Sequence, residues 1–301
     1  MNIIDNLFSF ARRIKRPLIL DGAMGSLLQQ NGVSRDEHLW MSLANITHPD
    51  TVTELHKQYI DASADIITTN TFRTNPTAIA EYLSNKNEYN INPHSFVKKS
   101  VDLAKRAASG NKVLIAGSNA PAEDCYQKEM ELSLDEYYLN HEFHIKQLYS
   151  NNCDFILNET QGHYSEIEMV SSICAKEKIP FIVSIFFDEG LRLLSGEKVE
   201  DAINKILEYE PIAIGFNCIK PDTFLSFMRR QELNFNWGVY MNCGSGDYTD
   251  DIITPGISPI DYKEIIKGVL KYEPSFIGGC CGTTPDHIKK IKEIFDERIN
   301  Y

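Results

Sequence analysis

The 301-residue sequence has no run of about 18 apolar residues, the length a membrane-spanning helix needs, and this excludes a helical span. It is also poor in positive charge, with 30 Lys and Arg against 42 Asp and Glu, formally −12. Nucleic-acid binding needs clustered cations to displace counterions, so that class of partner is not expected. The one basic cluster (Arg12, Arg13, Lys15 and Arg16) follows the apolar residues Ile3, Ile4, Leu7, Phe8 and Phe10. A secretory signal carries its charge first. Residues 1–17 are therefore read as a short amphipathic helical extension beneath the domain, and the protein is expected in the cytoplasm with no membrane partner. No low-complexity linker divides the chain, so residues 1–301 are expected to form a single domain. The seven cysteines, at 125, 153, 174, 218, 243, 280 and 281, are odd in number. In a reducing compartment they do not suggest a disulfide framework, leaving buried small hydrophobes or functional thiolates.

Short β-branched runs are abundant, and most end in polar or glycine-containing tails. They begin at Leu18, Ala64, Val113, Asp154, Phe181, Ile212, Trp237 and Ser275. Continuous apolar runs of this length suit parallel strands buried on both faces. Amphipathic helical stretches lie between them. Pro49 to Ala62 carries Val52, Leu55, Tyr59 and Ile60, Ser133-x-x-Glu136 reads as a capping box, and Thr284-Pro285-Asp286 reads as a helix start. The polar stretch Ser84 to Asn92 reads as a loop in the second β/α unit. Eight strands alternating with helices over roughly 250 residues predict an α/β fold of the (β/α)8 TIM-barrel class. The runner-up, an open doubly wound sheet, would show a glycine-rich phosphate loop after its first strand. Asp21-Gly22-Ala23-Met24-Gly25 is not G-x-G-x-x-G.

A barrel's active site forms at the C-terminal ends of its strands. The predicted strand ends here carry Asp21, Asn70, Glu159, Asn217-Cys218, Asn242-Cys243 and Cys280-Cys281. Adjacent Cys280 and Cys281 sit in a glycine frame that lets the backbone turn both thiols toward one point. Cys218, two strands round the barrel, can reach the same point. Three thiolates suit Zn²⁺ and leave a fourth position open for substrate. Cys243 reads either as a small buried residue beside the site or as a fourth thiolate, which would close the site. His141 and His144, three apart on a helix, read as solvent-exposed or capping residues rather than a second metal site.

These motifs resemble the homocysteine S-methyltransferase family of zinc barrels, over about Leu18 to Ile291. The matching pieces are Leu20-Asp21-Gly22-Ala23-Met24-Gly25, Thr69-Asn70-Thr71-Phe72-Arg73-Thr74-Asn75, Asn158-Glu159-Thr160, Gly215-Phe216-Asn217-Cys218 and Gly278-Gly279-Cys280-Cys281-Gly282-Thr283. The resemblance implies zinc on Cys218, Cys280 and Cys281, and an ammonium group of homocysteine on Asp21 and Glu159. It implies a carboxylate against the backbone around Gly22, Ala23 and Met24, and an asparagine at Asn242 able to stand near the metal when substrate is absent. On residue type alone, Asp21 and Glu159 read equally as strand-end acids capping helices.

The implied reaction is methyl transfer to the zinc-held homocysteine thiolate, giving methionine. An anionic three-thiolate centre favours a cationic donor. Trp40 lies near where family members place an aromatic beside the donor, where it reads equally as a packing residue. Arg73 stands where a betaine enzyme would offer an aromatic, which points instead to a sulfonium, S-methylmethionine or S-adenosylmethionine. Two alternatives stay open: a non-catalytic zinc barrel serving as a regulatory subunit, and an acceptor subunit fed by a separate corrinoid protein. Ser118-Asn119-Ala120-Pro121 and Phe186-Phe187 fit the family only loosely.

Overall fold

The computed structural model describes residues 15–85, 89–246 and 252–299. Of the helical extension expected over residues 1–17, residues 1–14 fall outside them, and residues 15–17 are a turn leading into the first strand. Eight parallel strands follow in chain order: β1 (Leu18–Ile19), β2 (Ile66–Thr68), β3 (Leu114–Asn119), β4 (Phe155–Gln161), β5 (Phe181–Ile185), β6 (Ala213–Asn217), β7 (Trp237–Met241) and β8 (Phe276–Gly279). Each pairs with the next from β2 to β8, and β8 pairs with β1, Leu18 opposite Phe276. A single bridge between Leu20 and Ile66 joins β1 to β2 and closes the barrel. The expected (β/α)8 architecture is the one observed. Most strands stop before the tails of their runs, whereas β3 and β4 carry their polar tails within the paired strand, to Asn119 and Gln161.

Side chains two apart share a strand face. Inside the barrel this period collects Leu18, Leu20, Ile66, Ala116, Phe155, Leu157, Ile182, Ala213 and Phe276 into one apolar cluster. One step further along, the inward positions turn polar: Thr68, Ser118, Glu159 and Ser184. That switch makes one end of the barrel a floor and the other a site. At the floor, Arg16 forms a 2.6 Å ion pair with Asp65, whose carboxylate also accepts the Ile19 N–H at 2.8 Å.

The helix Pro49–Asp61 buries Val52, Leu55 and Tyr59 against the barrel. The helix Leu134–Ser150 opens with the predicted Ser133–Glu136 capping box. The stretch read as a loop is partly helical, since Ser84 and Asn85 finish the helix Pro76–Asn85. Both of their side chains turn back onto the Glu81 carbonyl, which keeps the last turn closed. Among the described residues no helix is long and apolar enough to cross a membrane.

Candidate metal centre

Cys218 is the first residue past β6, with a left-handed φ of 57°. That conformation is strained for a residue with a Cβ. Its N–H donates to the Tyr240 carbonyl at 3.1 Å. The preceding Asn217 forms a reciprocal clamp with Thr160: the Asn217 Oδ1 accepts the Thr160 N–H, and its Nδ2 donates to the Thr160 hydroxyl, both at 2.8 Å. Thr160 is itself left-handed, at 58°, where the register of β4 on β5 shifts.

Cys280 and Cys281 follow β8. The Cys280 N–H donates to the Met241 carbonyl at 3.0 Å, and the Cys281 carbonyl accepts the Cys243 N–H at 2.8 Å. Gly282 turns the chain with φ 79°, and a Cβ there would lie 2.5 Å from the Gly244 nitrogen. Only glycine permits this turn and this close backbone approach.

The three sulfurs converge within 4.8 Å of one another, with Cys218 and Cys281 3.5 Å apart. Tetrahedral zinc with bonds of about 2.3 Å places its sulfurs about 3.8 Å apart. The donor set therefore fits zinc with shifts of no more than about 1 Å. Sharing of S–H protons from Cys280 and Cys281, helped by the Tyr126 hydroxyl, holds the Cys218 thiol well below its usual range. The same sharing and burial push Cys280 and Cys281 up.

The centre opens into a cavity of about 410 Å³ lined by Asp21, Glu159, Trp40, Phe72, Arg73 and Tyr126, among others. Asp21 accepts the Thr68 N–H at 2.8 Å and the Thr68 hydroxyl at 3.1 Å. Burial raises its carboxyl well above the usual range, and the neighbouring Glu159 adds to this. Glu159 accepts the Ser118 hydroxyl, and burial pushes it up to about 7. The two acids face one another's field across the cavity, an arrangement ready for a cation.

The segment Gly22–Met24 also borders the cavity. Tyr59 donates to the Ala23 carbonyl at 3.0 Å, while the Ala23 N–H is engaged by Thr283 Oγ1 at 3.1 Å. Asn242 lines the cavity too, with its Oδ1 accepting the Gly244 N–H at 2.8 Å. Trp40 packs edge-on to Phe72 with ring centroids 5.7 Å apart. Arg73 lies over Phe72 and donates to the Glu123 carbonyl at 2.6 Å. Its charge thus anchors the segment after β3.

Cys243 is fully buried outside the three-sulfur cluster, its thiol nearest the Met241 carbonyl. It packs beside the centre and does not close it. His141 and His144 correct the expectation of exposure, since both are wholly buried. Asn119 stands between them, with its Nδ2 3.1 Å from His141 Nδ1 and its Oδ1 2.8 Å from His144 Nδ1. His141 Nε2 lies 2.7 Å from Glu166, which also accepts the Ala122 N–H at 2.8 Å. Their face of the helix looks inward because polar partners on β3 and the helix Tyr164–Lys176 await them.

Tyr126 is a site residue that sequence reasoning missed. Its hydroxyl lies 2.9 Å from the Cys218 sulfur. It comes from a loop, where no periodicity marks it. Thr68 and Ser118 were readable in principle, each two residues beyond a barrel-interior residue.

The sequence matches the homocysteine S-methyltransferase family model over residues 18–295. It is 25% identical to a methionine synthase of Mycobacterium leprae over 95% of this chain, and spans only 25% of that protein's length. It is 23% identical to a homocysteine S-methyltransferase of Escherichia coli, covering 91% of this chain and 94% of the relative. The crystal structure of the metallated form of the homocysteine methyltransferase MmuM from Escherichia coli superposes with a TM-score of 0.74. That alignment has 24% identity and covers 92% of this chain and 96% of that one. By the span of the family match, the chain belongs to the homocysteine S-methyltransferase family.

Proposed function

We propose that the chain is a zinc-dependent methyltransferase that passes a methyl group from a sulfonium donor to the thiol of homocysteine, giving methionine. The observation that carries this reading is the convergence of Cys218, Cys280 and Cys281 at the mouth of the barrel, beside Asp21 and Glu159. Zinc held by the three thiolates would supply a fourth position at which a substrate thiol deprotonates near neutral pH.

The remaining work falls to the chain's own side chains. Asp21 and Glu159 accept the substrate's ammonium group, fixing the amino-acid end while the sulfur points at the cysteines. Thr68 and Ser118 hold those carboxylates in place. Residues Gly22 to Met24, pinned by Tyr59 and Thr283, present the backbone to the carboxylate. Asn242 is available to stand near the metal before substrate arrives.

Trp40 with Phe72 offers an aromatic wall to a cationic donor. The cavity lining supports the same donor class. Asp21, Glu37, Glu81, Glu123, Asp124, Glu131 and Glu159 outnumber Arg35 and Arg73. Such a field favours S-methylmethionine or S-adenosylmethionine over an anionic methyl source.

The test is to incubate zinc-loaded protein with homocysteine and each donor in turn, following methionine. Turnover with a sulfonium is the expected outcome. Zinc and homocysteine binding without turnover on any free donor would refute the reading.

A further inference from the structure

We propose that Tyr126 shields Cys218 from the methyl donor, so that the methyl group goes to the substrate sulfur and not to a metal ligand. The proposal rests on the methyl-transfer reading above. A tetrahedral metal carrying three cysteine thiolates and a substrate thiolate sets four sulfurs about 3.8 Å apart. A donor that reaches one of them is within van der Waals reach of the others. Attack by Cys218 would form a sulfur–carbon bond with a sulfur lone pair, while the donor's leaving group departs with the electrons of the broken bond. The product is a neutral S-methylcysteine, which has lost the charge that made it a ligand. Continued turnover requires that this side reaction be suppressed.

Tyr126 is placed to suppress it. Its hydroxyl donates to the Cys218 sulfur at 2.9 Å, engaging electron density that a methyl group would need. Its ring stacks edge-on against Phe186 at 5.2 Å. The segment carrying it is tied down on two sides, by Arg73 on the Glu123 carbonyl and by Glu166 on the Ala122 N–H. Cys218 is 1% exposed although it borders the cavity. Cys280, half-buried, is contacted by Asn217 Nδ2 at 3.9 Å and serves as an internal reference.

The experiment treats the metal-loaded full chain with methyl iodide and reads methylation at Cys218 and Cys280 by peptide mass. In Tyr126→Phe the ring and its stack on Phe186 are kept, and only the hydroxyl is lost. Hydrogen bonds to charged groups are strong, and about half of a thiolate's basicity is expressed in its nucleophilicity. The Cys218-to-Cys280 methylation ratio should therefore rise roughly fivefold in the variant. An unchanged ratio overturns the proposal. So does loss of the metal from Tyr126→Phe, which would make the residue a determinant of metal retention instead. Methyl iodide needs neither homocysteine nor the natural donor, so a chain that makes no methionine would still give an interpretable ratio.

Discussion

Glu159→Gln should change two pH dependences at once. Burial raises the Glu159 carboxyl from 4.5 to about 7. Only the ionised form pairs with an ammonium group, and ionisation falls from about nine-tenths at pH 8 to about one-tenth at pH 6. Homocysteine affinity of the wild type should therefore drop about tenfold more than that of Glu159→Gln over this interval. The thiol's own deprotonation contributes equally to both proteins and cancels in the comparison. Calorimetric titration of metal-loaded protein at both pH values measures it. Equal slopes would refute the assignment of Glu159 to the ammonium.

The same carboxyl carries a stability signature of opposite sign to its binding role. Between about pH 4.5 and 7 the folded state binds the Glu159 proton more tightly than the unfolded chain does. Stability is lost as pH rises through this window, and the loss is complete above 7. A shift from 4.5 to about 7 corresponds to about 3 kcal/mol at pH 8. Glu159→Gln removes the titration and should be about 2–3 kcal/mol more stable than wild type at pH 8, with the advantage gone near pH 4. Urea unfolding at the two pH values reads it. A variant that is less stable at pH 8 would show that the carboxylate is already compensated within the fold.

Cys218→Ala should lose zinc, by elemental analysis, while keeping its circular dichroism, because the barrel core does not depend on the metal; a variant that retains zinc refutes the ligand set. Trp40→Ala should raise the donor's KM about tenfold, the scale of a cation–π contact, and leave homocysteine affinity within about twofold. If homocysteine binding falls equally, the indole packs the site and does not face the donor. Glu166→Ala leaves the buried His141 and Ala122 N–H without their partner and should cost about 3 kcal/mol in urea unfolding. A loss below about 1 kcal/mol would show that the network is replaceable by water.

The barrel was legible because its signal is repetitive, with eight buried runs, most of them ending in a polar or glycine-containing tail. The three thiols were legible because barrel strand ends converge, so residue type at a strand end already implies position. The second layer around the site was not legible in the same way. Tyr126 reaches Cys218 from a loop whose path depends on Arg73, Glu123 and Glu166, contacts that lie 40 to 50 residues apart in sequence. His141 and His144 were misread because a polar residue on a helix is exposed by default. Only the partners Asn119, Thr74 and Glu166 make burial tolerable for them. Arg73 was expected at the donor side, and the structure ties it to the Glu123 carbonyl within the same cavity wall.

The strained backbone ties these layers together. Thr160, next to Glu159 in β4, and Cys218, just past β6, both sit in left-handed conformations. Each such residue costs on the order of 1 kcal/mol or more, so something must hold it. The Asn217–Thr160 clamp does so for both, through two 2.8 Å hydrogen bonds in a fully buried setting. Glu159 precedes Thr160 and Cys218 follows Asn217, so one clamp fixes both the acid proposed to meet the substrate's amino group and the thiol proposed to meet the metal. In the proposed reaction the distance between those two groups has to match one amino-acid side chain. A clamp between their immediate neighbours sets that distance more rigidly than either strand end could alone.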